Sequence, residues 1–209
     1  MPPSRDRLVA QWDEHASGYD RMTALLERRV MVHSRAWVAR RATGRVLEVA
    51  VGTGANLAHY PADLELTAVD WSAAMLDQAR AKAAAQGREV TLLRADATDL
   101  PFAAGEFDTV VCTFGLCCIP DEPGALVEMA RVLAPGGRLL LADHVAAHWP
   151  LRALQHAADL VTVRTHGEHW TRRPRHTLER LAVPVIEAHR WALGAVEQVH
   201  AAPGATVHS

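Results

Sequence analysis

The chain has 209 residues, 49% hydrophobic and 22% charged, with a net charge of −2 at pH 7. That is enough chain for a sizeable core, and the near-neutral balance with no long basic run gives no support to general nucleic-acid binding. Its three cysteines, Cys112, Cys117 and Cys118, sit in one segment and do not form a secreted disulfide framework; with no signal-peptide pattern and no apolar run near ~18 residues, a cytoplasmic location is expected.

Residues 5 to 41 carry helical apolar spacing, and Gly18 is expected to divide them into helices near 5–16 and 20–41. Residues 45–51 read as the first strand. Residues 55–60 begin a helix that Pro61 cuts short. A second strand covers 64–69 and ends at Asp70. Ser72 suits the N-cap of a helix over 73–86, closed by Gly87. A third strand covers 90–94 and a fourth 107–113. A helix over 124–133 ends at the turn Pro135-Gly136-Gly137, before a fifth strand at 138–142. Another helix is predicted over 149–163, a polar, histidine-rich loop over 164–176, and a short helix over 177–181. Residues 185–193 and 196–201 alternate around Gly194 as a hairpin.

Strands separated by helices imply a parallel sheet covered on both faces, and the hairpin adds an antiparallel edge, seven strands in all. Ligands of such sheets bind beyond the carboxyl ends of the strands. The informative residues are therefore 52–56, Asp70, Asp96 and 113–118. After the first strand stands V-L-E-V-A-V-G-T-G-A-N-L, residues 46–57. A dinucleotide fingerprint needs a third glycine where Leu57 stands, and a full helix after it. A phosphate loop needs Gly-Lys-Ser/Thr, which is absent. A nucleoside without a pyrophosphate remains.

These segments resemble the class I S-adenosylmethionine-dependent methyltransferases, in the branch of the quinone, phospholipid and thiol methyltransferases. Glu48-Val-Ala-Val-Gly52-Thr-Gly54 matches the family's E/D-x-G-x-G-x-G, with Ala50 in place of the first glycine. The resemblance continues through A-S-G-Y-D-R-M (16–22), V-D-W-S-A-A-M-L-D-Q-A-R (69–80), R-A-D-A-T-D-L-P-F (94–102), F-D-T-V-V-C-T-F-G-L-C-C-I (107–119) and E-M-A-R-V-L-A-P-G-G-R-L-L-L (128–141). It covers residues 16–145. It implies one Rossmann-like, doubly wound domain over 1–209: a helical lid (1–41), a cofactor-binding core (42–145) and an acceptor-side helix, loop and hairpin (146–209).

The resemblance also assigns roles. Gly52 and Gly54 let the backbone approach the cofactor; Glu48 lies near the sulfonium, with Ala50 and Asn56 in the same loop. Asp70 binds the ribose hydroxyls, and Trp71 and Met75 pack on the adenine. Asp96 accepts from the adenine amino group, with Ala97 beside it. Thr113 and Phe114 meet the methionine tail, and Tyr19 and Asp20 come from the lid. Plain structural roles stand beside these: Glu48 as a buried carboxylate tying down loop amides, Asp96 as a turn cap, Trp71 as core, the cysteines as small buried hydrophobes.

His144 and His169 are the candidate bases, since imidazole titrates near neutral pH; an exposed loop histidine is the alternative for each. The pairs His144/His148 and His166/His169 have helical ligand spacing, but no metal is expected. Arg164, Arg172, Arg173 and Arg175 form either a solvated loop or a site for an anionic acceptor. The implied reaction is in-line methyl transfer from S-adenosylmethionine to a thiol, a phenol or quinone, or a nitrogen nucleophile, leaving S-adenosylhomocysteine. The alternative is a phospholipid headgroup at a membrane surface. An NAD(P)-dependent oxidoreductase and a non-catalytic cofactor-binding protein rank below both. DNA amino-methyltransferases carry N/D-P-P-Y/F where this chain has T-F-G-L, which sets them aside. A peripheral membrane contact and a monomer or homodimer are compatible with all of this.

Overall fold

A computed structural model describes residues 3–165 and 167–203. The first helix, α1 (Arg5–Leu26), starts at Ser4, whose side chain accepts the Arg7 amide. It runs unbroken through Gly18, against the expected division there. A helical glycine costs about 1 kcal/mol, and the packing of α1 across a later helix offsets it. The break comes instead at Glu27–Met31, a π-helical turn that leads into α2 (Val32–Ala39).

The strands follow the expected order: β1 (Arg45–Val49), β2 (Glu65–Asp70), β3 (Thr91–Arg94) and β4 (Phe107–Thr113). Residues 52–59 are consecutive turns rather than the start of a helix. Gly52 and Gly54, both at positive φ, hold the chain out of helical geometry there. After β2, α3 (Ala73–Ala85) is capped by the Ser72 side chain, which accepts the Met75 amide. α4 (Glu122–Val132) starts earlier than expected, because the Asp121 carboxylate accepts the Gly124 amide and fixes the N-terminus there.

β5 (Leu133–His144) is longer than the predicted 138–142. Pro135-Gly136-Gly137 is a bulge within it, between the pairings Phe107–Leu133 and Thr109–Arg138, and not a turn before it. α5 (Leu151–Thr165), α6 (Pro174–Arg180), β6 (Val185–Trp191) and β7 (Val196–Ala201) complete the chain.

The sheet order is β3-β2-β1-β4-β5-β7-β6. The first five strands are parallel, and β7 joins β5 and β6 antiparallel. This is a Rossmann-like doubly wound sheet closed by an antiparallel hairpin. Alternate residues feed opposite faces. Val110, Cys112, Leu139 and Leu141 pack with Leu126, Met129 and Leu178 on one side. Val111, Leu140 and Ala142 pack with Trp37, Val38, Leu57 and Tyr60 on the other. The chain crosses from one half of the sheet to the other between β1 and β4, which opens a crevice above their carboxyl ends.

Candidate active site

A cavity of about 820 Å³, its mouth included, occupies that crevice. Its floor is the loop after β1, where Ala50 (φ 58°), Gly52 (56°) and Gly54 (79°) all take left-handed backbone. The two glycines serve different ends. A side chain on Gly52 would meet nothing within 4 Å, and this residue lines the cavity. A side chain on Gly54 would come 2.8 Å from Leu57 and 3.2 Å from the Ala79 backbone. Gly54 therefore seats the loop against α3 and does not line the cavity. Ala50 lines it, with its methyl lying where a side chain on Gly115 would come to 2.7 Å.

Asp70, at the end of β2, is buried and fastens the loop. Its Oδ2 accepts the Gly52 amide at 2.8 Å and its Oδ1 the Ser72 amide at 2.9 Å. Burial raises its pKa, and these amides act against that rise. Trp71, Met75, Asp96 and Ala97 continue the wall. Asp96 Oδ1 also accepts the Thr98 amide, and Oδ2 lies 2.7 Å from Arg5 Nη1, so it caps a turn and anchors α1 as well as facing the cavity. Trp71 is half-buried at the rim, outside the apolar core clusters.

Behind the wall lies a buried polar chain. Arg35 Nη1 donates to Asn56 Oδ1 (2.9 Å) and Thr113 Oγ1 (3.0 Å). Asn56 Nδ2 donates to Glu48 Oε1 and to Thr113 Oγ1, each at 2.9 Å. Arg35 Nε reaches Glu27 Oε1 at 2.8 Å, across the π-helical turn. Burial raises the pKa of Glu48 to about 7, against the pull of Arg35. Glu48 and Asn56 thus stand one layer behind the cavity, while Thr113, Phe114 and Arg35 line it. The Arg35 guanidinium lies 5.3 Å from the Phe114 ring centroid.

α1 closes the top. Asp13 accepts from the Ser72 hydroxyl (2.5 Å) and the Ala74 amide (3.1 Å). Asp20 accepts from the Thr53 hydroxyl (2.6 Å) and from Lys82 (2.9 Å). Trp12 and Tyr19 meet edge to face at 6.0 Å and hang into the cavity. Burial holds the Tyr19 phenol above its ordinary pKa.

A second cavity adjoins the first and shares Trp12, Tyr19, Phe114 and Cys118 with it. His144 and Glu168 face into it, beside Met22, Leu26, Met31 and Trp170. The His144 ring lies between Phe114 (5.0 Å) and Trp170 (4.8 Å) and is 8% exposed, and neither ring nitrogen has a hydrogen-bond partner. Burial lowers its pKa to about 4, so the ring is neutral near pH 7. His169 lines neither cavity; its backbone amide donates to the Cys117 carbonyl.

The remaining candidates scatter. His148 packs against Gly194 in the hairpin, away from His144, and His166 lies outside the described residues. The arginines do not form one patch: Arg172 ties down the loop after β4 through the carbonyls of Leu116, Ile119 and Pro120, and Arg175 is paired with Glu179 and Glu197. The three cysteines are free thiols. Sequence reasoning passed over Arg35 and Trp12, and took in Thr53 only within the span 52–56. Trp12 stands two helical turns before Tyr19, a spacing that could have revealed it.

A methyltransferase-domain family model matches residues 46–137. The chain is similar to a demethylmenaquinone methyltransferase of Clavibacter sepedonicus, at 37% identity over 69% of this chain and 61% of that one. It thus spans less than two thirds of that relative's length. It is similar to a phosphatidylethanolamine N-methyltransferase of Cereibacter sphaeroides, at 34% identity over 72% of this chain and 73% of that one. A Thermotoga maritima structure described as a SAM-dependent methyltransferase, possible histamine N-methyltransferase, superposes with a TM-score of 0.69, covering 92% of this chain and 98% of that one. At 20% identity that likeness shows the fold alone.

Proposed function

This chain belongs to the class I S-adenosylmethionine-dependent methyltransferases, and from that premise we propose that it moves the methyl group of S-adenosylmethionine to a small-molecule acceptor. The observation that carries this is the first cavity, whose Gly52 floor and Asp70 and Asp96 walls sit at the switch point of the sheet. Its residues fit the cofactor. Gly52 leaves backbone room on the cavity side. The Asp70 carboxylate accepts the Gly52 and Ser72 amides, and each oxygen keeps acceptor capacity that ribose hydroxyls would use. Trp71, Met75 and Ala97 offer flat and apolar surface to the adenine, with Asp96 at its amino edge. Arg35, Thr113 and Phe114 stand at the methionine end, where the guanidinium suits a carboxylate.

The cofactor supplies an already activated methyl group. The protein's part is alignment and exclusion of water. Trp12, Tyr19 and Phe114, common to both cavities, separate a cofactor side from an acceptor side. His144 and Glu168 are then polar groups on the acceptor side. Titration calorimetry with S-adenosylmethionine, S-adenosylhomocysteine and NAD tests the reading. Micromolar binding of the first two, and none of the third, is expected; binding of NAD alone would overturn it.

A specific observation favours a second reading, a phospholipid headgroup as acceptor. α1 and α5 border the second cavity and expose Met22, Leu25, Leu154, Leu160 and Val161 beside Arg21, Arg152 and Arg164. Apolar side chains among arginines suit an anionic membrane surface. No helix among the described residues is long and apolar enough to cross a membrane. Cosedimentation with anionic and neutral vesicles decides: retention on neither removes this acceptor class.

A further inference from the structure

Among the described residues, a thiol, an imidazole and a carboxylate converge beside the second cavity. The sulfur of Cys117, a ring nitrogen of His144 and a carboxylate oxygen of Glu168 all lie within 4.8 Å of one another. Cys117 comes from the loop after β4, His144 from the end of β5, and Glu168 from the loop after α5. No local turn geometry accounts for the meeting of three such distant positions.

The imidazole is the informative member. A buried ring with both nitrogens unpartnered is costly to leave unsatisfied. We propose that Cys117, His144 and Glu168 bind a thiophilic divalent cation of the zinc type, with an open fourth position toward the acceptor cavity.

The ligand chemistry suits that ion. Sulfur, nitrogen and oxygen donors in a set of three with one free position are the pattern of a catalytic rather than a structural zinc. Tetrahedral bonds of ~2.0–2.3 Å place ligand atoms roughly 3.5 Å apart, so closure from separations of no more than 4.8 Å asks for about an ångström of movement at most. A supporting carboxylate is already in place. Asp143 Oδ1 lies 3.8 Å from His144 Nδ1, where a small rotation of the ring would let Nδ1–H bond to it and leave Nε2 for the ion. Asp143 Oδ2 also accepts the Cys117 amide at 3.1 Å, which holds the thiol-bearing loop. A dication between them would favour the thiolate of Cys117 and the carboxylate of Glu168.

His144 and Glu168 are themselves walls of the second cavity, so an ion between them is reached from the acceptor side. This consequence rests on the proposed methyl transfer. An acceptor with an S–H or O–H group would coordinate as its anion and release its proton to solvent. Its coordinating atom then forms the bond to methyl while the methyl–sulfonium bond breaks, and that electron pair leaves on the thioether sulfur of S-adenosylhomocysteine. The acceptor anion and the sulfonium cation neutralise each other, so charge balances.

The test titrates the full, metal-stripped chain with Co²⁺, then with Zn²⁺. A single equivalent of Co²⁺ should bind with a thiolate-to-cobalt charge-transfer band, and Zn²⁺ should abolish the band. Cys117→Ser should remove it. His144→Ala and Glu168→Gln should weaken Co²⁺ binding at least tenfold, while His169→Ala and Cys118→Ser should bind as the parent does. S-adenosylhomocysteine affinity, measured in parallel, reports that each variant is folded. No band in a parent that still binds S-adenosylhomocysteine would overturn the metal site and leave the methyltransferase reading standing. A band lost in Cys118→Ser but kept in Cys117→Ser would overturn it also. Cobalt binding without affinity for S-adenosylmethionine would sink the proposed function instead.

Discussion

Asp70→Asn is the sharpest test of the cofactor side. In the parent, each carboxylate oxygen accepts one backbone amide, from Gly52 at 2.8 Å and from Ser72 at 2.9 Å. Asparagine keeps the shape but turns one oxygen into a donor, so one buried amide loses its acceptor, at a cost of about 1–3 kcal/mol. The parent already bears a burial cost on this charge, visible as a raised pKa, and asparagine relieves it. The net loss of stability should therefore fall near 1 kcal/mol, a drop in melting temperature of roughly 2–4 °C for a chain of this size. Binding should suffer more. A charged acceptor to the ribose hydroxyls contributes about 1.5–3 kcal/mol, so affinity for S-adenosylmethionine should fall roughly ten- to hundredfold. Calorimetric titration at a temperature well below both melting points separates the two effects. An affinity within twofold of the parent would refute the ribose assignment, whatever the melting temperature does.

Burial raises Glu48 from 4.5 to about 7, so between those values the folded protein keeps a proton that the unfolded chain has released. Stability should fall as pH rises through that window and stay lower above it. Glu48→Gln, which still accepts from Asn56, should flatten that slope and be more stable than the parent at pH 8, by about 3 kcal/mol at most; parallel pH profiles would count against the buried charge. Gly115→Ala places a methyl 2.7 Å from Ala50 and should cost about 1–3 kcal/mol. Most of that should return in the double variant with Ala50→Gly, and strictly additive denaturation energies would show that the two do not touch. His144→Ala should lower turnover at least tenfold with cofactor affinity unchanged, whereas His169→Ala, which lines neither cavity, should stay within about threefold. Equal losses in steady-state assays of the two would return His169 to the reacting centre.

The strand ends were legible because the hydrophobic runs, their glycine and proline stops and the Ser72 cap all act over a few residues. Positions of Gly52, Asp70 and Asp96 around the cavity follow from strand order, whereas Trp71, Met75 and Ala97 were picked out only by the family resemblance. Arg35 was not legible in the same way. It bonds to Thr113, 78 residues further along, and a lone arginine in a helix looks like any solvated one. The distinct tasks of Gly52 and Gly54 were hidden too, since only the approach of α3 tells them apart. Gly18 and Pro135-Gly136-Gly137 misled for a common reason. A helical glycine costs about 1 kcal/mol and a proline gives up a ladder bond in a strand, yet α1 packing on α3, and β5 paired along β4, outweigh these local costs. The meeting of Cys117, His144 and Glu168 joins positions 27 and 24 residues apart along the chain (144 − 117 and 168 − 144), which no local spacing encodes.

Trp12 and Tyr19 hang from one helix into both cavities, and α1 is moored across the loop after β1 and α3 by polar bonds through Asp13 and Asp20. The helix cannot swing away from one cavity without baring the other. Departure of the spent nucleoside and arrival of the next acceptor would then answer to a single opening event. Kinetically, the two ligands would share one gate and exchange on one clock, and weakening any mooring of α1 would speed both exchanges together.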